Sequence, residues 1–141
     1  MSNLTATAST AINAPASAVW HALTDPASIK KYMFGSDVVC DWRVGSPIFF
    51  RGEYEGKKYE DKGTIIAFEP EKRLQYTHYS PMGGKPDKPE NYHNVTYLLE
   101  PSGQTTKVAL TQDGNADDDA RDHAAKNWSM MLEQLKACVE G

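Results

Sequence analysis

Between Asp37 and Asp113 the chain is a succession of short apolar runs cut at regular intervals by turn residues, and no other feature limits its fold so strongly. The cuts fall at Gly45-Ser46-Pro47, Glu55-Gly56, Glu69-Pro70, a Pro/Gly segment near 81–89, and Pro101-Ser102-Gly103. Glycine and proline at such points end a strand and turn the backbone. The runs between them predict strands over 37–43, 47–54, 58–69, 73–79, 91–100 and 105–113. Parallel neighbours would need crossovers of about a dozen residues or more. These connections are shorter, so the six strands read as an antiparallel meander.

The flanks have other periods. Leu4, Ala6, Ala8 and Ile12 share one parity and Thr5, Thr7 and Ser9 the other, which predicts a first strand with one dry face. In "NAPASAVWHALTD" the spacing becomes helical: Val19, Trp20 and Leu23 share a face, Asn13 is placed to cap and Pro15 sits in the first turn. Asp25-Pro26 ends this helix, and a second short one is expected over Ala27 to Phe34, stopped by Gly35. The closing segment "NADDDARDHAAKNWSMMLEQLKACVEG" places Ala124, Trp128, Met131, Leu135 and Cys138 on one helical stripe. Asp117, Asp118 and Asp119 stand at the positive end of its dipole. An apolar helix stripe laid across one face of an antiparallel sheet is an α+β layer arrangement. A sheet that curves around such a helix leaves concave surface the helix does not fill.

Composition narrows the functional classes. A chain of 141 residues suits one domain, 1–141. The net charge is −4 and no Lys/Arg stripe follows any predicted element, which argues against nucleic-acid binding. The longest apolar run is too short for a membrane span, and "MSNLTATAST" has neither a charged nor an apolar leader region, so a cytoplasmic location is expected. Cys40 and Cys138 are too few and too far apart for a metal knuckle or redox pair. No nucleophile elbow, P-loop, paired-glycine dinucleotide fingerprint or HExxH is present, and no metal or cofactor is assigned.

Four phrases, in order, carry a family resemblance: "INAPASAVWHALTDP" from Ile12 to Pro26, "DWRVGSP" from Asp41 to Pro47, "KGTIIAFEPEKRLQYTH", and "NWSMMLEQLKACVEG". They resemble the signatures of the START-like or SRPBCC superfamily, the helix-grip fold, within the group of homologues of the activator of the heat-shock-protein ATPase. Ser46 and Asn127 stand where that group usually has glycine. The resemblance implies a curved seven-stranded antiparallel sheet wrapped on the long C-terminal helix, with two short helices after the first strand and a hydrophobic cavity between sheet and helix. It does not imply one reaction, because the superfamily includes lipid carriers, hormone receptors, polyketide cyclases and chaperone cofactors.

Strand parity selects the candidate site. Tyr76 and His78 share a face with Leu74, and His93 and Tyr97 share one with Val95 and Leu99. In a hairpin about the 80–90 loop, positions summing to about 171 face each other, bringing His78 near His93 and Tyr76 near Val95. His78, His93 and Tyr76 are therefore the candidates for acid/base work or for a polar anchor. Tyr79 and Tyr92 point outward, and the Pro/Gly loop reads equally as a flap over a pocket mouth or as a tolerated insertion. Phe50 and Tyr54 on one strand, Trp42, and Trp128, Met131, Leu132 and Leu135 on the last helix are expected to wall the cavity with Tyr76 and Tyr97. Asp41 and Arg43 would share a strand face as a structural ion pair, and His21 and His123 are read as surface residues.

These residues favour binding of an apolar or amphipathic small molecule between sheet and C-terminal helix. Two alternatives stay open: an enzyme of cyclase or hydrolase type using His78, His93 and Tyr76, and an interaction module for a chaperone ATPase. Assembly as a homodimer is compatible with either.

Overall fold

The computed structural model describes residues 4–33, 35–80 and 86–141. The order is β1 (Leu4–Ile12), α1 (Ala16–Thr24), α2 (Pro26–Tyr32), β2 (Asp37–Cys40), β3 (Pro47–Tyr54), β4 (Lys57–Glu69), β5 (Arg73–His78), β6 (His93–Ser102), β7 (Thr105–Asn115) and α3 (Asp118–Glu140). The seven strands form an antiparallel sheet in the order β1-β7-β6-β5-β4-β3-β2, so the meander lies as expected and the first strand closes beside the last. This is the helix-grip α+β arrangement.

Alternation decides which side chains enter the core. Ile48, Phe50, Ile65, Leu74, Tyr76, Val95, Tyr97, Leu99, Val108 and Leu110 are all buried, while their sequence neighbours are more exposed. The α3 stripe meets that face through Met131, Leu132 and Leu135, and α1 and α2 add Val19, Trp20, Leu23, Ile29 and Tyr32. Leu132 and Leu135 are 0% exposed. Each contributes about 1.5–3 kcal/mol by leaving water. Asp117 caps α3 by accepting from the Ala120 amide at 2.8 Å, with Asp118 and Asp119 in the first turn.

The centre of the sheet turns on β4. Its first part pairs with β3, from Lys57 opposite Tyr54 to Thr64 opposite Pro47. Its last part pairs with β5, from Ile65 opposite Tyr76 to Glu69 opposite Arg73, with a register shift between Ile65 and Ala67. A bulge of this kind bends the strand. Gly63 lies at the handover, where a Cβ would stand 1.6 Å from the Thr77 carbonyl oxygen. No other residue tolerates that approach without moving the backbone.

Five local expectations change. The strand expected over 37–43 ends at Cys40, because Trp42 adopts φ 57 and the chain turns, tied by a Ser46 Oγ–Arg43 carbonyl hydrogen bond of 2.7 Å. Asp41 and Arg43 consequently lie exposed in a turn and share no strand face. Asn13 does not cap α1: Pro15 occupies that position, and the Asn13 amide donates instead to Glu140 Oε2 at 2.8 Å. The second helix begins at Pro26, capped by Asp25 Oδ2, which accepts from the Ser28 amide at 3.2 Å. Tyr79 lies on the outer side but is buried there, stacked on Tyr92 at 5.2 Å. His21 and His123 are exposed, as expected. No helix among the described residues is long and apolar enough to cross a membrane.

Candidate functional site

Where β3, β4 and β5 leave the core beside α3, the concave face opens into a pocket of about 470 Å³. Met33, Phe50, Trp128 and Met131 form its apolar side, and Ser36, Glu53, Tyr59, Asp61, His78, Ser80 and Asn127 its polar side. On β4 and at the end of β5 parity delivers them: Tyr59 and Asp61 share one phase, and His78 and Ser80 another, whereas Glu53 on β3 is out of phase with Phe50. Phe50 and Asp61 are cross-strand partners, as are Gly52 and Tyr59. The Tyr59 ring lies across Gly52, where a Cβ would come within 2.5 Å of its hydroxyl oxygen. That ring position lets the Tyr59 hydroxyl and Ser36 Oγ share a hydrogen bond of 2.6 Å. The Trp128 indole donates to Gln112 Oε1 at 2.6 Å, which leaves its ring surface as what it offers the pocket.

One polar pair stands out in chemistry. His78 Nε2 lies 3.1 Å from Asp61 Oδ2, with the side chains 23% and 18% exposed. An ionised carboxylate can only accept, so Nε2 is the donor, and Nδ1 is the ring nitrogen left to face a ligand. The imidazole also meets the Phe50 ring edge-on at 6.1 Å. Asp61 Oδ1 is buried and has no hydrogen-bond partner among the described residues. An acceptor left so costs about 1–3 kcal/mol, more when charged. Such groups ask for an explanation in function.

The backbone register of the two histidines is the expected one: His78 faces His93, and Tyr76 faces Val95. Their rings part company. His93 Nδ1 lies 2.7 Å from the Asp113 carbonyl on β7, against Gly114, and His93 is not among the pocket residues. The physical reason is sheet order: β5 has β4 as its other neighbour, and β6 has β7. Each imidazole turns to the acceptor on its own far side.

Tyr76 and Tyr97 lie deeper. With Trp42, Tyr32, Leu74 and others they surround a void of about 10 Å³, and their hydroxyls are 3.4 Å apart. Burial pushes the Tyr97 phenol up to about 12 and the Tyr76 and Tyr32 phenols well above the usual range. All three are neutral near neutral pH, so Tyr76 has an O–H to offer but no phenolate. Leu132 and Leu135 belong to the core and Trp42 packs toward Phe68 at 6.4 Å, whereas Phe50, His78, Trp128 and Met131 line the larger pocket. The side chain of Tyr54 and residues 81–85 of the expected flap lie outside the described residues.

Sequence reasoning passed over Ser36, Glu53, Tyr59 and Asp61. Asp61 and Tyr59 share parity with Ile65 along β4, a signal that could have placed both on the concave face. Asp61 to His78 spans two strands and could not be read from spacing. Among the described residues no group of three or more His, Cys, Asp or Glu side chains could hold a metal ion.

Known proteins place this architecture. The solution structure of ChR145 from Cytophaga hutchinsonii superposes with a TM-score of 0.86 at 51% identity, covering 97% of this chain and 94% of that one. Protein CV1439 from Chromobacterium violaceum matches at 25% identity and a TM-score of 0.78, covering 97% of both chains. The Aha1 dimer from Colwellia psychrerythraea, at 22% identity and a TM-score of 0.74 over 99% of this chain and 97% of that one, shares the fold. No curated protein matches in sequence. A family model described as Activator of Hsp90 ATPase homolog 1-like protein matches residues 13–140, and the chain belongs to that family.

Proposed function

We propose that the protein binds an apolar or amphipathic small molecule in the pocket between the open end of the sheet and α3. The observation that carries this reading is the pocket itself: about 470 Å³, with Met33, Phe50, Trp128 and Met131 on one side and hydrogen-bonding groups on the other. That volume lies in the range of small-molecule sites, which combine apolar walls with a few polar groups that orient the ligand. Two methionines on the wall suit a ligand of variable shape, since thioether side chains repack readily. Titration with N-phenyl-1-naphthylamine, an uncharged fluorescent probe, should show saturable binding of one equivalent, with quenching of Trp128. Native mass spectrometry of protein purified without denaturation should show the same stoichiometry. Absence of saturable binding in both measurements would overturn the reading.

The Asp61–His78 pair favours a second reading, an acid/base enzyme acting on the bound molecule. A carboxylate that fixes the tautomer of a histidine leaves the other ring nitrogen as a base. Turnover lost in His78→Gln with ligand affinity kept would support it; equal affinity and no turnover of any ligand found would remove it.

A further inference from the structure

We infer that the pocket selects amphiphiles whose head is a protonated amine, seated on Asp61. This deepens the binding reading above and rests on it. The acceptor on offer is the Asp61 carboxylate, which lines the pocket: its Oδ1 has no hydrogen-bond partner among the described residues, and its Oδ2 lies 3.1 Å from His78 Nε2. A carboxylate oxygen accepts and never donates, so the complementary group must bring N–H or O–H bonds, and a cation brings charge as well.

The surroundings point the same way. No Lys or Arg lines the pocket among the described residues, and its charged side chains are Glu53, Asp61 and the ionisable His78. Three basic residues on the adjoining elements are matched elsewhere: Arg51 with Glu60 at 2.6 Å, Lys62 with Asp87 at 2.5 Å, and Lys30 with Asp37 at 3.1 Å. Glu53 stands at the rim opposite Lys58 across the β3–β4 pair, so Asp61 is the acceptor that decides. Phe50, Tyr59 and Trp128 present aromatic rings to the same space, and ring faces attract cations. An anionic head, a fatty carboxylate for instance, would meet Asp61 as a like charge and is disfavoured by the same geometry. The body of the ligand then lies along Met33 and Met131.

The test compares three probes with one alkyl chain: decylamine, decanol and decanoate. Each displaces N-phenyl-1-naphthylamine below its aggregation concentration, at about pH 8, where an ordinary alkylamine is charged and an ordinary imidazole is neutral. Decylamine should bind at least about ten-fold more tightly than decanoate, with decanol between them. Asp61→Asn should reduce that ratio to less than about three-fold. Because the probes are first compared on the unaltered protein, the outcome does not hang on the variant folding. Equal affinity for all three, or tighter binding of decanoate, overturns the headgroup inference and leaves the binding reading standing. If N-phenyl-1-naphthylamine and all three probes fail to bind, the binding reading falls and this inference with it.

Discussion

Asp61 and Lys62 are neighbours in sequence, yet β4 sends them to opposite faces of the sheet and into opposite electrostatic situations. Lys62 meets Asp87 at 2.5 Å, Asp87 accepts from the Tyr92 hydroxyl at 2.5 Å, and Tyr92 stacks on Tyr79 at 5.2 Å. The hydrogen bond to Asp87 raises Lys62 above its usual range, and Lys62, then Tyr92, hold Asp87 below its own. That cluster is matched on every side but wet, the two ionic side chains being 39% and 44% exposed. Asp61 is the reverse: half-buried, tied to His78 through one oxygen and, among the described residues, unmatched at the other. Surface ion pairs contribute little to stability, so the outer cluster reads as an anchor for the residues after the loop. The inner carboxylate is the buried polar group that calls for an explanation.

Breaking the strand that carries both residues should have the largest effect. Gly63→Ala forces a Cβ into the Thr77 carbonyl and should destabilise the fold by roughly 3 kcal/mol or more, seen as a large drop in thermal midpoint. It should also abolish probe binding; a melt within error of the unaltered protein would show that β4 and β5 can separate freely.

The deeper part of the inner face is expected to respond to alkali. Tyr97 in the folded state ionises at about 12 against an ordinary 10.0, a raised value, so its contribution is complete below pH 10 and is lost as pH rises through about 12. The shift corresponds to roughly 3 kcal/mol at most. Tyr32 and Tyr76, also raised by burial, add in the same direction. Phenolate absorbance from these three should therefore appear together with unfolding, and Tyr97→Phe should move the alkaline midpoint upward. Ionisation of all three ahead of any loss of structure would contradict the burial.

The direct comparison is Asp61→Asn against Asp87→Asn. Replacing Asp61 relieves a half-buried, half-matched charge, and the amide can still meet His78; the expected change is between zero and a gain of about 1 kcal/mol. A loss beyond about 2 kcal/mol would make the Asp61–His78 pair a structural tie. Asp87→Asn should give the smallest effect on the melt, vanishing at high salt. Its clearest readout is Tyr92, whose phenol is raised first by the hydrogen bond to Asp87 and should titrate lower in the variant. An unchanged Tyr92 titration would mean that the contact does not persist in solution.

Much of the frame was legible in the chain, for reasons that are local. The turn at Glu55-Gly56 separates β3 from β4 as its residue types announce, β6 runs two residues past its expected end through Pro101 and Ser102 before Gly103 turns the chain, and the α3 stripe from Ala124 to Cys138 is helical by period alone. The hairpin register that sets His78 opposite His93 follows from loop position and parity. The error at 41–43 has a local cause of another kind: Trp42 takes a left-handed conformation that residue type does not announce. The candidate site was legible only in its apolar half. Phe50, Trp128 and Met131 betray themselves by hydrophobicity and phase, whereas Asp61 reads in sequence as one more charge in "YEDKG".

By itself, then, the sequence determined the α+β class, the strand phases and the helix that packs on them, because alternation, helical period and turn chemistry act over a few residues. Tertiary structure alone decided that β1 closes beside β7, that β4 passes from β3 to β5 at Gly63, and that His78 turns to Asp61 while His93 turns to Asp113. Those choices depend on which strands are neighbours in space. A side chain's hydrogen-bond partner follows from distance in the folded sheet, and distance along the chain carries no record of it.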